Sequence, residues 1–233
     1  MSIVNTLPLE SNRQIKINFS GGDLSSDAGL LLIKEFAAKI GFSKLIKNKF
    51  KTNDKSVRFH KDNENLMQMI YQIIAAYFED DCADELTHDP VFQAILDKNA
   101  LASQPTLSRF FNRMDEDTLR QFDDIDQRLR DIVYSIKHPE HILLDLDSTL
   151  LGTYGHQEGE GFNFHYQAHG YHPLLCYDGL TGDLLKAELR NGNLHCSNDA
   201  EKFIEPLLKE YMDRCMKTYL RGDSGFSSPK LYK

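Results

Sequence analysis

The chain has 233 residues, of which 41% are hydrophobic and 27% are charged, and its formal net charge is −8. This length allows one or two domains with ordinary cores, and the composition excludes an intrinsically disordered or collagen-like protein. No apolar run approaches the ~20 residues of a membrane span and no signal peptide is visible, so the sequence predicts a cytoplasmic protein. Four cysteines without a CxxC pair predict reduced thiols rather than a zinc ribbon.

A net charge of −8 argues against a nucleic-acid partner, but the charge is distributed unevenly. Residues 1–60 hold 10 basic and 5 acidic residues (+5), residues 61–140 hold 8 and 17 (−9), and residues 141–233 hold 9 and 13 (−4). Residues 39–58 contain a single acid, Asp54. This basic stretch can hold a phosphate backbone, although a solvated loop uses the same residue types. Its candidate DNA contacts are Lys44, Lys47, Lys49 and Lys51.

Residues 1–138 are predicted to form a mostly helical domain that is a candidate for DNA binding. Alternating apolar residues predict a short strand over residues 14–19, ended by the Gly21-Gly22 pair. Helical spacing and capping residues predict helices over residues 25–40, 62–79, 90–96, 103–114 and 116–136. Residues 25–27 offer caps for the first helix and Gly41 closes it. In the second helix, one buried face is predicted to contain Leu66, Met69, Ile70, Ile73, Ile74 and Tyr77.

Residues 99–114 have two interpretations. Two short helices joined at residues 101–103, the second exposing Arg109 and Arg113, are similar in polar chemistry to a helix-turn-helix. The alternative is a helical hairpin with a polar outer face. The first interpretation adds Arg109 and Arg113 to the candidate DNA contacts.

Residues 139–233 change to a mixed pattern. Strands are predicted over residues 141–151, 171–178 and 183–190, and the last two form an antiparallel hairpin through the turn 179–182. A helix follows from Asn198 or Asp199 to about residue 216, then a strand over residues 217–221. Ser227-Ser228-Pro229 is predicted to begin a further helix.

Acidic residues follow two apolar strands of this second part. Strand alternation places Asp145 and Asp147 on one face, and Asp223 comes directly after the strand at residues 217–221. Both strands are predicted to be buried. Because buried carboxylates need a cation or hydrogen bonds to compensate them, the pattern predicts a metal site that suits Mg²⁺. The alternative is that Asp145 caps a loop and Asp223 opens a turn.

Seven motifs, in this order, make the sequence resemble bacterial insertion-sequence transposases of the DDE type, within group one and most similar to the family numbered thirteen-eighty. They are FSGGDLSSDAGLLLIKEF (19–36), DCADELTHDPVFQAIL (81–96), LASQPTLSRFFNR (101–113), LLDLDST (143–149), HGYHPLLCYDGLTGDLL (169–185), LRNGNLH (189–195) and YLRGDSGF (219–226). The resemblance implies an α/β fold with a ribonuclease H-like mixed sheet: three antiparallel strands, then helix, strand and helix.

The resemblance also implies the chemistry. Asp147 and Asp223 match the first and second catalytic aspartates, which hold two Mg²⁺ or Mn²⁺ ions together with a later Glu, and Asp145 is a neighbour that assists or only forms hydrogen bonds. His195 would contact phosphate or metal-bound water, or else is simply a helix-entry residue. The implied partner is double-stranded DNA, both element ends and target, with self-association on DNA and a location at the bacterial nucleoid.

One departure from the family pattern concerns the third carboxylate. The family's Glu lies on a helix well after the second Asp, whereas this sequence ends ten residues after Asp223. Glu158 and Glu160 precede Asp223 in a glycine-rich loop and do not fit that role. The sequence therefore predicts a C-terminally truncated transposase that binds Mg²⁺ or Mn²⁺ weakly and is inactive.

Three other interpretations remain open. Residues 145–149 also fit the DxDxT motif of haloacid-dehalogenase phosphatases, in which Asp145 would be the nucleophile and Asp147 the general acid/base. A fragment that binds DNA or full-length transposase without catalysis is the second. The third is a zinc site at His165 and His169, although Gly170 and Pro173 predict a loop where such pairs usually lie on a helix.

Overall fold

The computed structural model describes residues 6–18, 27–79, 81–214 and 216–231. The chain divides into two units, residues 1–132 and 133–233. The sequence placed a domain boundary between residues 138 and 139, shortly after the helix in which this division falls. Within the described ranges, no helix combines the length and apolar character needed to cross a membrane.

The first unit is mostly helical. Strand β1 (Thr6–Pro8) pairs antiparallel with β2 (Lys16–Asn18). The helices are α1 (Leu30–Lys39), α2 (Phe42–Lys49), α3 (Asp62–Ile74), α4 (Cys82–Glu85), α5 (Pro90–Leu96), α6 (Gln104–Phe111) and α7 (Glu116–Ile136), which continues past residue 132. Their apolar faces enclose one core that includes Leu66, Tyr71, Phe92 and Phe110.

Several helix ends follow the predicted chemistry. The Asp89 carboxylate accepts hydrogen bonds from the backbone N–H groups of Val91 and Phe92, at 2.9 and 2.8 Å, and Pro90 occupies the first helical turn of α5. Gly41 has a φ of +73° between α1 and α2, a conformation that glycine adopts without strain. The predicted caps Ser25 and Ser26 lie outside the described residues, as do Gly21 and Gly22.

The predicted buried face of the second helix is partly wrong. Leu66 is buried, but Ile73 and Ile74 are 55% and 48% exposed at the end of α3. The buried face instead contains polar residues, because the Gln68 side chain pairs with the backbone of Ala102. It donates to the Ala102 carbonyl and accepts from the Ala102 N–H, both at 2.8 Å. Satisfied amides of this kind can be buried at little cost.

The second unit contains a four-stranded mixed sheet with one helix packed on it. Its elements are β3 (His141–Ser148), β4 (Leu151–Gly152), β5 (Gly161–Asn163), β6 (Ala168–Tyr171), β7 (Leu174–Asp178), β8 (Leu184–Glu188), α8 (Ala200–Asp213) and β9 (Lys217–Gly222). The strand order is β8-β7-β3-β9, in which only the β3–β9 pair is parallel. β3 is therefore central, as its apolar sequence predicts, and the strands and helix lie near their predicted positions.

One face of this sheet carries the core. Ile142, Leu144 and Leu146 of β3 are buried in a cluster with Phe203 and Tyr211 of α8. Their alternation sends the other β3 side chains to the opposite face. After β9 a 3₁₀ turn covers Ser224–Phe226, and residues 229–231 form a turn rather than the predicted helix start.

Residues 152–172 were predicted to form a loop, and this prediction is wrong. This region, from the end of β4 onward, contains β5 and β6, and the three strands form a separate antiparallel sheet. Its strands have two to four residues, too short for their alternation to be visible in the sequence. Close backbone packing holds it together: a Cβ at Gly170 would lie 2.2 Å from the carbonyl oxygen of Leu151.

Candidate active site

The ends of two parallel strands bring together the principal candidate residues. The β3–β9 register runs to the pair Leu146 and Gly222. Continued by one position, this register would pair Asp147 of β3 with Asp223, which immediately follows β9. The register thus supports the predicted convergence of the two aspartates at this edge of the sheet, which stays a prediction.

Each aspartate has one oriented oxygen. Oδ1 of Asp147 accepts a hydrogen bond from the backbone N–H of Ser148 at 2.7 Å. Oδ1 of Asp223 accepts one from the backbone N–H of Gly225 at 2.8 Å and thereby caps the 3₁₀ turn. Within the described ranges, the second oxygen of each carboxylate accepts no hydrogen bond. Two carboxylates with fixed directions and free oxygens are suitable ligands for a hard divalent cation.

The prediction that these carboxylates are buried is wrong. Asp147 and Asp223 are both exposed, and β9 is exposed at most of its positions. The physical reason is the alternation of β3, which directs its apolar side chains toward α8 and its aspartates to the uncovered face. The cost of burial therefore gives no support to a metal, and the case for one rests on the convergence of the two carboxylates.

Asp145 is engaged by an arginine on the neighbouring strand. Arg221, its register partner on β9, donates from Nε to Oδ1 at 2.8 Å and from Nη2 to Oδ2 at 2.5 Å. These hydrogen bonds hold the pKa of Asp145 below its usual value. Since both oxygens are bound to a cation, the arrangement favours the hydrogen-bonding role and leaves no free nucleophile for phosphatase chemistry.

Sequence reasoning did not assign a role to Arg221. A signal was present, because each strand carries a charged residue two positions before its aspartate, Asp145 before Asp147 and Arg221 before Asp223. In two parallel strands that are in register, this spacing pairs Arg221 with Asp145.

His195 lies in the connection between β8 and α8. Its side chain is exposed, and Nδ1 is 2.9 Å from the Ser197 hydroxyl. The adjacent Cys196 is buried beside the turn that carries Asp223, since a Cβ at Gly225 would lie 2.6 Å from Cys196 Sγ. Burial, and secondarily the charge of Asp223, raise the pKa of the Cys196 thiol. The structure therefore brings the neighbour of His195 against the candidate site.

Apart from His195, the predicted DNA contacts lie in the first unit, and they differ in their surroundings. Lys44, Lys47 and Lys51 are exposed and Lys49 is half-buried. Within the described part of the chain, none of these four lysines forms an ion pair. They are therefore cations whose charge is not neutralised by a neighbouring carboxylate.

Arg109 of α6 and Arg113, which follows the end of α6, differ in their exposure and their contacts. Arg109 is exposed and, with Arg58 and His60, lines a groove of about 500 Å³. Arg113 also borders this groove but donates from Nη2 to Oδ1 of Asp62 at 2.7 Å, and both side chains of this pair are largely buried. Arg109 is thus available to a ligand, whereas Arg113 is held by Asp62 and connects the end of α6 to α3.

The carboxylates and histidines of residues 152–172 are not arranged as a zinc site. Glu160 is 9% exposed and accepts from the Thr153 hydroxyl, with Nδ1 of His156 and of His169 each 3.8 Å away. Across the described residues, no three His, Cys, Asp or Glu side chains are grouped so that they could hold a metal ion. Cys82, Cys176 and Cys196 are free thiols, and Cys215 lies outside the described residues.

Comparisons with known proteins agree with the geometry at the level of family. The family model for the transposase DDE domain group 1 matches residues 7–233. A cryo-EM structure of a piggyBac transposase synaptic complex with hairpin DNA is similar to this chain at 13% sequence identity. The alignment covers 91% of this chain and 46% of that chain, and its TM-score of 0.28 is too low to establish a shared fold. No curated protein matches. The match over nearly its whole length shows that the chain belongs to the transposase DDE domain group 1 family.

Proposed function

We propose that this protein is a DNA transposase whose second unit carries part of a metal-dependent site for phosphodiester hydrolysis and strand transfer at the ends of an insertion sequence. The observation that carries the proposal is the parallel β3–β9 register, which ends at Leu146 and Gly222, one residue before Asp147 and Asp223. Family membership supplies the reaction class. The proposed partners are duplex DNA of element ends and target, with self-association on DNA.

The sheet supports a ribonuclease H-like assignment for the second unit. Three antiparallel strands, β8, β7 and β3, are followed through α8 by β9, which lies parallel to β3. As far as β9, this is the strand and helix order that the DDE resemblance implies. The four-stranded sheet, with α8 on one face and the carboxylates at one edge, is the part of the fold on which the proposal depends.

The proposed cofactor is Mg²⁺ or Mn²⁺. When bound, such ions activate the attacking water or DNA hydroxyl and stabilise the leaving oxygen. In this chain, Asp147 and Asp223 would supply the ligand oxygens, and the backbone N–H groups of Ser148 and Gly225 fix their orientation. The Asp145–Arg221 pair would keep β3 and β9 in register beneath them. These residues bind and orient, and no proton transfer is assigned to them.

Two carboxylates alone bind a divalent cation weakly, because sites for Mg²⁺ complete their coordination with water and substrate phosphate. We therefore expect residues 1–233, mixed with duplex DNA from the regions flanking the gene and with Mg²⁺ or Mn²⁺, to form a complex while leaving the DNA uncut. A mobility-shift titration run beside a denaturing gel measures both. Robust metal-dependent cleavage that disappears in Asp147→Ala would contradict the proposed inactivity, and absence of any complex would contradict the DNA partner.

The lysines near α2 are the proposed phosphate contacts. We expect the triple substitution of Lys44, Lys47 and Lys51 by Gln to flatten the dependence of log K on log salt by about 0.9 for each DNA phosphate that is no longer neutralised. The matched control replaces three lysines that are paired with acids in the second unit, which are Lys202, Lys209 and Lys230. An equal decrease of slope in both triple variants would show that overall charge, and not this surface, determines DNA affinity.

A further inference from the structure

A buried arginine two residues after β8 has backbone carbonyls as its partners. Arg190 is 7% exposed. Its guanidinium donates to the carbonyl oxygens of His172 at 3.2 Å, Asn198 at 2.7 Å and His195 at 3.5 Å. Burial lowers the pKa of Arg190. Burying a cation is costly, and hydrogen bonds to three carbonyl oxygens compensate this cost. Two of these oxygens belong to the connection between β8 and α8, and the third belongs to the connection between β3 and β7.

The first of these connections contacts the turn that carries Asp223. The acceptors His195 and Asn198 bracket Cys196, whose thiol packs so closely on Gly225 that an added Cβ there would lie 2.6 Å away. The same Cβ would lie 3.0 Å from Oδ1 of Asp223. Residues 195–198 thus pack against the turn that carries Asp223, and the hydrogen bonds from Arg190 fix the position of these residues.

The second connection follows the strand that carries Asp147. His172 precedes β7, and its Nδ1 is 2.7 Å from the carbonyl oxygen of Leu194. The Asn191 side chain donates to the carbonyls of Gly159 and Glu160, at 3.0 and 2.8 Å. The connection that leaves β3 after Asp147 is therefore tied to the segment that Arg190 anchors.

We infer that Arg190 is a positioning residue of the proposed metal site, fixing residues 191–199 between the connection that follows Asp147 and the turn that carries Asp223. This inference rests on the proposed function for the identification of a metal site. The effect of Arg190 on the Asp223 turn can be tested without that identification. Arg190 touches neither carboxylate. It acts through Cys196 on one side and His172 on the other, so its loss should loosen the Asp223 turn more than the sheet.

Hydrogen exchange on residues 1–233 tests the inference, with Arg190→Lys as the variant. Lysine keeps the charge but lacks the planar fork that reaches three carbonyls. Hydrogen bonds from a charged group stabilise a fold more than those between neutral groups. We therefore expect the amide exchange rate at residues 194–199 and 223–226 to rise about tenfold or more, with little change in β3. Mn²⁺ affinity should fall about tenfold in parallel. Unchanged exchange at residues 223–226 would overturn the inference.

The matched control is Lys186→Met, on β8, the strand that precedes Arg190. Lys186 donates one hydrogen bond to the Phe203 carbonyl at 2.9 Å, toward α8 and away from the Asp223 turn. It should raise exchange in α8 only. If Arg190→Lys instead raises exchange uniformly across the unit, as a general loss of stability does, the positioning role is contradicted.

A second variant keeps the test decisive if Arg190→Lys fails to fold. Gly225→Ala pushes directly on Cys196 Sγ, and we expect it to increase exchange at residues 194–199, with Cys196→Ala restoring protection in the double variant. No coupling between the two substitutions would contradict the contact of Cys196 with the Asp223 turn, through which Arg190 is inferred to act. If the Asp223→Asn variant binds Mn²⁺ as tightly as the wild type, the proposed metal site is contradicted. The exchange result for Arg190→Lys still decides the role of Arg190 in that case.

Discussion

Asp147→Asn and Asp223→Asn are each expected to weaken Mn²⁺ binding by residues 1–233 at least tenfold, to the limit of detection. Each substitution replaces a carboxylate, which has one hydrogen-bonded and one free oxygen, by a neutral amide with a single oxygen. A tenfold loss corresponds to about 1.4 kcal/mol, well within the contribution of one charged ligand. Electron paramagnetic resonance of free Mn²⁺ during a protein titration measures the affinity directly.

Asp145→Asn is the matched control for these two variants. Asp145 lies on the same strand and the same face as Asp147, but its oxygens are bound to Arg221. We expect its substitution to change Mn²⁺ affinity by less than about threefold, because an amide retains part of the arginine contact. If Asp145→Asn abolishes binding and Asp147→Asn does not, the ligand assignment is reversed. Wild-type protein with no detectable Mn²⁺ binding would contradict the site as a whole.

Arg113→Met is expected to destabilise the first unit by about 3 kcal/mol while leaving the lysine surface intact. The substitution leaves the largely buried Asp62 without its cationic partner, and stranding one member of such a pair is costly. Chemical denaturation followed by far-UV circular dichroism measures the effect. Arg109→Met, on α6 but exposed, should change stability by no more than about 0.5 kcal/mol and should reduce DNA affinity.

The effect of Arg113→Met should depend on pH in a defined direction. Burial alone raises the pKa of Asp62, but hydrogen bonds from Thr52 and Arg113 outweigh it and lower the pKa below its usual value in the folded protein. A depressed carboxyl pKa stabilises the fold above its unfolded value, and this contribution is lost as the pH falls through the folded value. The stability difference between wild type and Arg113→Met should therefore shrink below about pH 4. A difference that grows in acid would contradict the Asp62–Arg113 pair as the cause of the lost stability. A stable variant that loses only DNA affinity would support the predicted DNA contact of Arg113.

Local chemistry allowed much of the fold to be predicted. Asp89-Pro90 marks the start of α5, and the apolar run before Asp145 identifies the central strand β3. The turn at residues 179–182 identifies the β7–β8 hairpin. These features depend on residues close in sequence, where capping, alternation and turn preferences act directly.

The errors arose where distant residues determine the structure. Gln68 is buried because Ala102 satisfies its amide, and this partner cannot be inferred from helical spacing. The small β4-β6-β5 sheet depends on close backbone contacts rather than on an apolar pattern. The exposure of Asp147 depends on which face α8 covers, and strand alternation alone identifies two faces without telling which is buried.

The placement of the two aspartates also has a consequence for the order of folding. Asp145 and Arg221, which pair beneath them, are 76 positions apart in the chain, whereas the β7–β8 hairpin closes across one short turn. Closing the longer loop costs more chain entropy, so local pairs form before the β3–β9 ladder. During synthesis, β3 leaves the ribosome well before β9 and cannot pair with it until β9 has also emerged. The two carboxylates of the proposed metal site can therefore meet only after Asp223 has been synthesised, and no shorter nascent chain contains both of them.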